Sequence, residues 1–295
     1  MAKQQMIGFV GLGVMGEPMC RNLALKSGRG VIAHDLNPEP LGRLAADGVE
    51  AAAGLAEIAA RAEVILLSLP GGPEVDRVVR GPEGLAAHLR PGQIVVDTST
   101  APVDLERALA ADLAGRGVGY ADAPVARTRQ AARDGTLSIT VGAAPEVFDM
   151  IRPILACMGS DILHCGPAGS GQVVKLMNNM VLFQTVVALA EAMAIGAAAG
   201  VDEALLLEAL GNGSADSFAL RNHAIKAMLP RKFPADAFST DYALKDIGYA
   251  LDLAERTGIA AHGAELARGT LRRSRAAGRG GVYFPALLES ITGEA

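Results

Sequence analysis

The chain has 295 residues, 50% of them hydrophobic, with a net charge of −5 and three cysteines. That length and apolar content suffice for a large core and two domains, and the acidic balance excludes the basic footprint of a nucleic-acid binder. Cys20, Cys157 and Cys165, odd in number and without metal-ligand spacing, exclude a disulfide framework and a zinc site and suit a reduced, cytoplasmic protein.

The N-terminus enters an apolar strand, 7–10, almost at once, so no leader peptide is expected. Gly11, Gly13 and Gly16 follow at G-x-G-x-x-G spacing. The first glycine permits a tight turn, the second lets backbone approach a pyrophosphate, and the third allows close packing of strand and helix. The helix that follows tolerates Pro18 in its first turn and aims free N–H groups at the phosphates. The whole loop of Gly11, Leu12, Gly13, Val14, Met15 and Gly16 is therefore expected to line a dinucleotide. The second strand, 30–34, ends in Asp35, where a carboxylate accepts both ribose hydroxyls and would repel a 2′-phosphate. This predicts NAD rather than NADP.

Beyond Asp35, helical patterns at 38–47, 55–61, 73–79 and 102–116 alternate with β-like runs at 49–51, 64–69, 94–97, 119–122, 137–141 and 161–164. Strands alternating with helices predict an α/β fold with a mostly parallel, doubly wound Rossmann sheet. From Gly169 the strand signal stops, and helices are expected at 172–199, 202–210, 217–228, 240–257 and 261–276. The predicted domains are 1–165, binding NAD, and 166–295, an all-α domain for substrate and oligomer contacts entered by a long helix. That helix carries Lys175, Asn178, Asn179, Gln184 and Glu191, too many polar groups for a lipid-facing span, and is expected to be buried in protein. The Arg- and Gly-rich stretch 274–281 reads as an exposed turn.

Four segments fall where such a sheet places its ligands. Ser68-Leu69-Pro70-Gly71-Gly72 ends the fourth strand and sets Leu69 and Pro70 against the cofactor. Asp97-Thr98-Ser99-Thr100 ends the fifth and offers hydroxyls, Ser99 toward substrate and Thr100 toward cofactor. The third begins at Asp122-Ala123-Pro124-Val125 and runs through Arg127 and Thr128. The fourth, starting at Gly169, places Lys175, Asn178 and Asn179 at i, i+3 and i+4, on one helix face. Reduction of a carbonyl develops negative charge on oxygen, and an ammonium in reach stabilises it and donates the proton. By position alone, Lys175 serves equally as a structural lysine paired with a carboxylate.

These ordered motifs, from the glycine loop through Asp97-Thr98-Ser99-Thr100, Asp122-Ala123-Pro124-Val125 and Gly169-Ser170-Gly171-Gln172 to Lys245-Asp246, resemble the β-hydroxyacid dehydrogenases over essentially the whole chain. The family includes 3-hydroxyisobutyrate dehydrogenase, tartronate semialdehyde reductase and the larger 6-phosphogluconate dehydrogenase. The resemblance implies that Lys175 is catalytic and that Asn178 and Asn179, with Leu182 further along, hold substrate. It also implies that Lys245 lies beside the cofactor and that the protein is a homodimer or homotetramer.

One departure bears on substrate. Most members follow Asp-Ala-Pro-Val with Ser-Gly-Gly, whose backbone receives the substrate carboxylate; here Ala126, Arg127 and Thr128 stand instead. The run resembles the sulfolactaldehyde reductase branch, in which Arg127 would clamp a sulfonate by its planar fork. The alternative is an exposed loop arginine in a basic segment with Arg129 and Arg133. The expected substrate is thus a small anionic aldehyde or its hydroxy acid, 3-sulfolactaldehyde or succinic semialdehyde foremost. The alternatives are a 3-hydroxyisobutyrate or tartronate semialdehyde type, an imine reductase, or a non-catalytic NAD sensor. His34, His88, His164, His223 and His262 are scattered, and no metal is expected. Asp241 and Asp246 are read as ion-pair partners of Lys245 or another cation. Phe233, Phe238 and Tyr242 are read as core before pocket wall.

Overall fold

The apolar runs become a single nine-stranded sheet in the computed structural model, which describes residues 6–293. The chain divides into two compact units, the first ending at Lys175 and the second beginning at Leu176. The division falls within the long helix.

In the first unit, β1 (Met6–Val10), β2 (Val31–His34), β3 (Val49–Ala51), β4 (Ala62–Leu67), β5 (Ile94–Asp97) and β6 (Gly119–Asp122) run parallel in the order 3-2-1-4-5-6. Gly8 pairs with Ile32 on one side and Ile65 on the other, so β1 is central. Helices α1 (Gly16–Lys26), α2 (Pro38–Leu44), α3 (Leu55–Arg61), α4 (Gly72–Arg80) and α5 (Val103–Ala114) connect these strands. Because both faces are covered, the central strands read as continuous apolar runs instead of alternating ones. Ile7, Phe9 and Leu66 pack with Met19 and Leu23 of α1 on one face, while Val10, Ile65 and Leu67 pack with Ile58, Val75 and Leu109 of α3, α4 and α5 on the other. Each such side chain contributes about 1.5–3 kcal/mol by leaving water.

Past β6 the direction changes. β8 (Leu137–Ala143) lies antiparallel to β6 and to the two-residue β7 (Val125–Ala126), and β9 (Gly159–Gly166) runs parallel to β8. The short α6 (Arg129–Asp134) and α7 (Pro145–Leu155) fill the connections. The sequence pattern did not announce β7, α6 or α7: two residues show no period, and α6 is only six residues long.

The second unit takes most of α8 (Ser170–Ala198), then α9 (Glu203–Asn212), a π-helical segment Leu220–Met228, α10 (Thr240–Thr257), α11 (His262–Ser274) and α12 (Glu289–Thr292). Phe183, Val187 and Met193 of α8 meet Leu220, Ile247, Leu271 and Phe284 in its core. Two expectations need correction. The 217–228 helix winds with wider turns, as in the bond from Leu229 N–H to the Ala224 carbonyl (2.8 Å); the wide turn accompanies buried His223 bonding Tyr283. Nor is α8 buried all round: Val174, Val181 and Ile195 are 38%, 60% and 69% exposed, and with exposed Ala188 they form a heptad-spaced stripe. The period of seven keeps these positions on one face, which the chain's own core does not cover.

Candidate active site

The carboxyl ends of β1, β2, β4, β5 and β6 carry the predicted cofactor loops and are tied together by backbone-directed hydrogen bonds. Gly11 has φ +92°, a conformation that only glycine adopts cheaply. A Cβ on Gly16 would strike the Gly11 carbonyl, whereas one on Gly13 meets nothing within 4 Å. The loop is thus closed where it packs and open where a pyrophosphate approaches, which fits a dinucleotide. Leu12 is a core side chain, 2% exposed, and acts here through its N–H, donated to Asp35 Oδ2 (2.5 Å). Asp35 Oδ1 accepts from Asn37 N–H (2.7 Å), so the carboxylate is oriented while keeping lone pairs for ribose hydroxyls. Val14 is exposed and Met15 half-buried at the start of α1.

The β4 and β5 loops join through Leu69, whose N–H donates to Ser99 Oγ (2.8 Å). Ser99 N–H donates to Asp97 Oδ1 (2.9 Å). Ser99 is therefore a 5% exposed loop anchor whose oxygen already accepts a backbone bond. Pro70 is exposed and Thr100 half-buried at the rims of these loops.

Asp122 ends β6 and receives the first turn of α8. Its carboxylate accepts from Gly169 N–H (2.5 Å) and Gln172 N–H (2.7 Å). Burial pushes this acid up to about 6, against the pull of those two donors. Gly142 and Gly171 are the cradle: a Cβ at either position would run into the Asp122 carboxylate. Gln172, fully buried, donates from Nε2 to the Ser99 carbonyl (2.8 Å) and accepts from Ala101 N–H (3.3 Å). Lys175 is half-buried three residues further along the same helix. Neither Asp122 nor Gln172 was singled out by sequence reasoning, although both lie within the quoted motifs; an acid and an amide inside apolar surroundings were the available signal.

Arg127 has φ +86°, the left-handed conformation that favours glycine. Its guanidinium donates to the Thr136 carbonyl (2.6 Å) and Ser160 Oγ (3.1 Å) and lies 3.7 Å from Asp161. Thr128 caps α6, its hydroxyl accepting from Ala131 N–H (3.2 Å).

In the second unit Asn179, 3% exposed, donates to Asp246 Oδ2 (2.7 Å), and Asn178 Nδ2 donates to Asn179 Oδ1 (3.1 Å). Lys245 Nζ lies 2.9 Å from Asp246 Oδ1 and 5.1 Å from the Tyr249 ring centroid. Both acids find a cation as anticipated, Asp246 in Lys245 and Asp241 in Arg275. Leu182 and Phe238 pack against this unit's core, and Tyr242 is exposed. Among the described residues no His, Cys, Asp and Glu group could hold a metal.

Residues 6–166 match the family model for the NAD-binding domain of 6-phosphogluconate dehydrogenase, and residues 169–291 match that for the NAD-binding region of NADP-dependent 3-hydroxyisobutyrate dehydrogenase. The chain is 34% identical to the 2-(hydroxymethyl)glutarate dehydrogenase of Eubacterium barkeri, covering 99% of this chain and 98% of that one. It is 36% identical to a Pseudomonas aeruginosa 3-hydroxyisobutyrate dehydrogenase over 83% of this chain and 84% of the relative. The solved Mycobacterium tuberculosis 3-hydroxyisobutyrate dehydrogenase superposes with a TM-score of 0.89 at 31% identity, covering 98% of this chain and 99% of that one. With a Rossmann sheet, a nicotinamide dinucleotide loop and whole-length relatives that are hydroxyacid dehydrogenases, the chain belongs to the β-hydroxyacid dehydrogenase family and is an NAD-dependent oxidoreductase.

Proposed function

We propose that this enzyme reduces a small anionic semialdehyde with NADH, Lys175 donating the proton, and that it also runs in reverse as a hydroxyacid dehydrogenase. The observation that carries the reading is the anchoring of the Lys175 helix to the cofactor loops through Asp122 and Gln172. Bound nicotinamide supplies the hydride. Lys175 stabilises the developing alkoxide and gives it a proton, while Asn178 and Asn179 orient the carbon that bears the oxygen. Asp35 favours NADH over NADPH because a second anion at the 2′ position meets its carboxylate.

For the acid group, the leading reading is that the Arg127 guanidinium exchanges Asp161 for the substrate's anion, which suits 3-sulfolactaldehyde or succinic semialdehyde. A second reading is favoured by the bonds Arg127 already makes to Thr136 and Ser160: backbone at 126–128 receives a carboxylate, as for 3-hydroxyisobutyrate or tartronate semialdehyde types. The Eubacterium barkeri relative acts, by its name, on a substrate with two carboxylates. Reduction of 3-sulfolactaldehyde, succinic, methylmalonate and tartronate semialdehydes, each with NADH and NADPH, tests the function. Arg127→Ala separates the readings: a raised KM confined to the preferred substrate supports the clamp, and an equal effect on every substrate supports the backbone. The exposed apolar stripe on α8 supports assembly as a homodimer or homotetramer.

A further inference from the structure

Behind the β5 loop the first unit buries a polar array that its packing does not require. Asp97, Glu106 and Gln172 are each fully buried, and Tyr120 is 5% exposed. Glu106, in the first turn of α5, accepts from the Tyr120 hydroxyl (2.6 Å) and from Gln172 Nε2 (3.3 Å), and it lies close enough to Asp97 to feel that carboxylate's charge. Burial together with the charges of Asp97 and Asp122 holds the Glu106 carboxyl well above the usual carboxylate range.

Replacing a buried polar array with apolar side chains is often neutral or stabilising, so fold stability alone does not explain it. What apolar packing cannot do is fix direction. Gln172 reaches the Ser99 carbonyl, Ala101 N–H and Glu106 at once, so its amide is held by three partners. It stands three residues before Lys175 on α8, on the same face, about 4.5 Å along the helix axis. The position of the lysine relative to the β5 loop is therefore set through Gln172.

We propose that Glu106, bonded to Tyr120 and Gln172 in the buried array behind the β5 loop, is a positioning residue that fixes Lys175 through Gln172. The inference rests on Lys175 being the proton donor. Misplacing a reacting group by about 1 Å costs on the order of 100-fold in rate, so cutting the tie lowers kcat while leaving the glycine loop and Asp35 untouched.

The test is a double-variant cycle with NADH and the most rapidly reduced semialdehyde of the panel above, each variant first checked for cooperative unfolding. Glu106→Leu is expected to lower kcat by roughly 10- to 100-fold with KM for NADH within about threefold. Glu106→Gln, whose amide oxygen can still accept from Gln172 Nε2 while its N–H donates to the Tyr120 hydroxyl oxygen, is expected to recover most of that loss. In a Lys175→Met background, Glu106→Leu should add no further loss, because it acts through the lysine. Full kcat in Glu106→Leu, or multiplicative losses in the double variant, overturns the inference. Should Glu106→Leu not fold, Gln172→Leu cuts the same tie and carries the same cycle. Wild-type turnover in Lys175→Met removes the proton-donor reading and this inference together, whereas an inactive Lys175→Met beside a fully active Glu106→Leu removes only the inference.

Discussion

Arg127 occupies a glycine conformation, and this has a measurable consequence. A non-glycine residue in the left-handed region costs about 1–2 kcal/mol, of which glycine's larger unfolded-state entropy gives back about 0.5–1. Arg127→Ala keeps that strain and loses the bonds to Thr136 and Ser160 and the proximity to Asp161. Because the side chain is 42% exposed, those contacts together are worth about 1 kcal/mol. Arg127→Gly loses the same contacts and sheds the strain. At about 2–4 °C per kcal/mol for a unit of this size, Arg127→Ala is expected to melt about 2–4 °C below wild type, and Arg127→Gly within about 2 °C of it. Thermal denaturation followed by circular dichroism reads both. A glycine variant less stable than the alanine variant would refute the left-handed strain argument.

Three further predictions follow from the same geometry. Gly16→Ala, whose methyl meets the Gly11 carbonyl, should destabilise the fold by about 1–3 kcal/mol, whereas Gly13→Ala should melt like wild type yet bind NADH more weakly by titration fluorescence. Asp35→Ala should weaken NADH about 10- to 100-fold, as expected for losing charge-assisted bonds of about 1.5–3 kcal/mol, and affect NADPH much less; parallel losses for both would contradict the ribose role. Asp122 has a folded pKa of about 6 against an ordinary 3.8, so its contribution to stability is complete below about pH 4 and is lost as pH rises through 6. The stability of wild type relative to Asp122→Asn, from urea unfolding, should therefore fall by roughly 2 kcal/mol between about pH 4 and pH 7; a flat or rising difference counts against it.

The dinucleotide half of the site was legible because its signals are local. A buried strand, three spaced glycines, a helix start and Asp35 lie within one βαβ unit, and each residue type has one physical job. The anchoring of α8 was not legible: Asp122 meets Gly169 and Gln172 from 47 and 50 residues away, and no periodicity encodes such a contact. Arg127 was visible only as a departure from the family's Ser-Gly-Gly; its left-handed backbone goes against its own local preference, which sequence rules read the other way. Which face of α8 its own chain leaves uncovered was likewise not legible, since the mixture of apolar and polar residues along the helix speaks for burial in protein without saying which residues do the covering.

The central claim is that Lys175 performs the proton transfer on a site whose cofactor half stands without it. Single-turnover NADH oxidation and NADH binding, measured side by side on wild type and Lys175→Met, test it directly. The account predicts a rate lower by roughly 100- to 10,000-fold with NADH affinity changed less than about twofold. Turnover at the wild-type rate, or a loss explained entirely by weaker NADH binding, would contradict it.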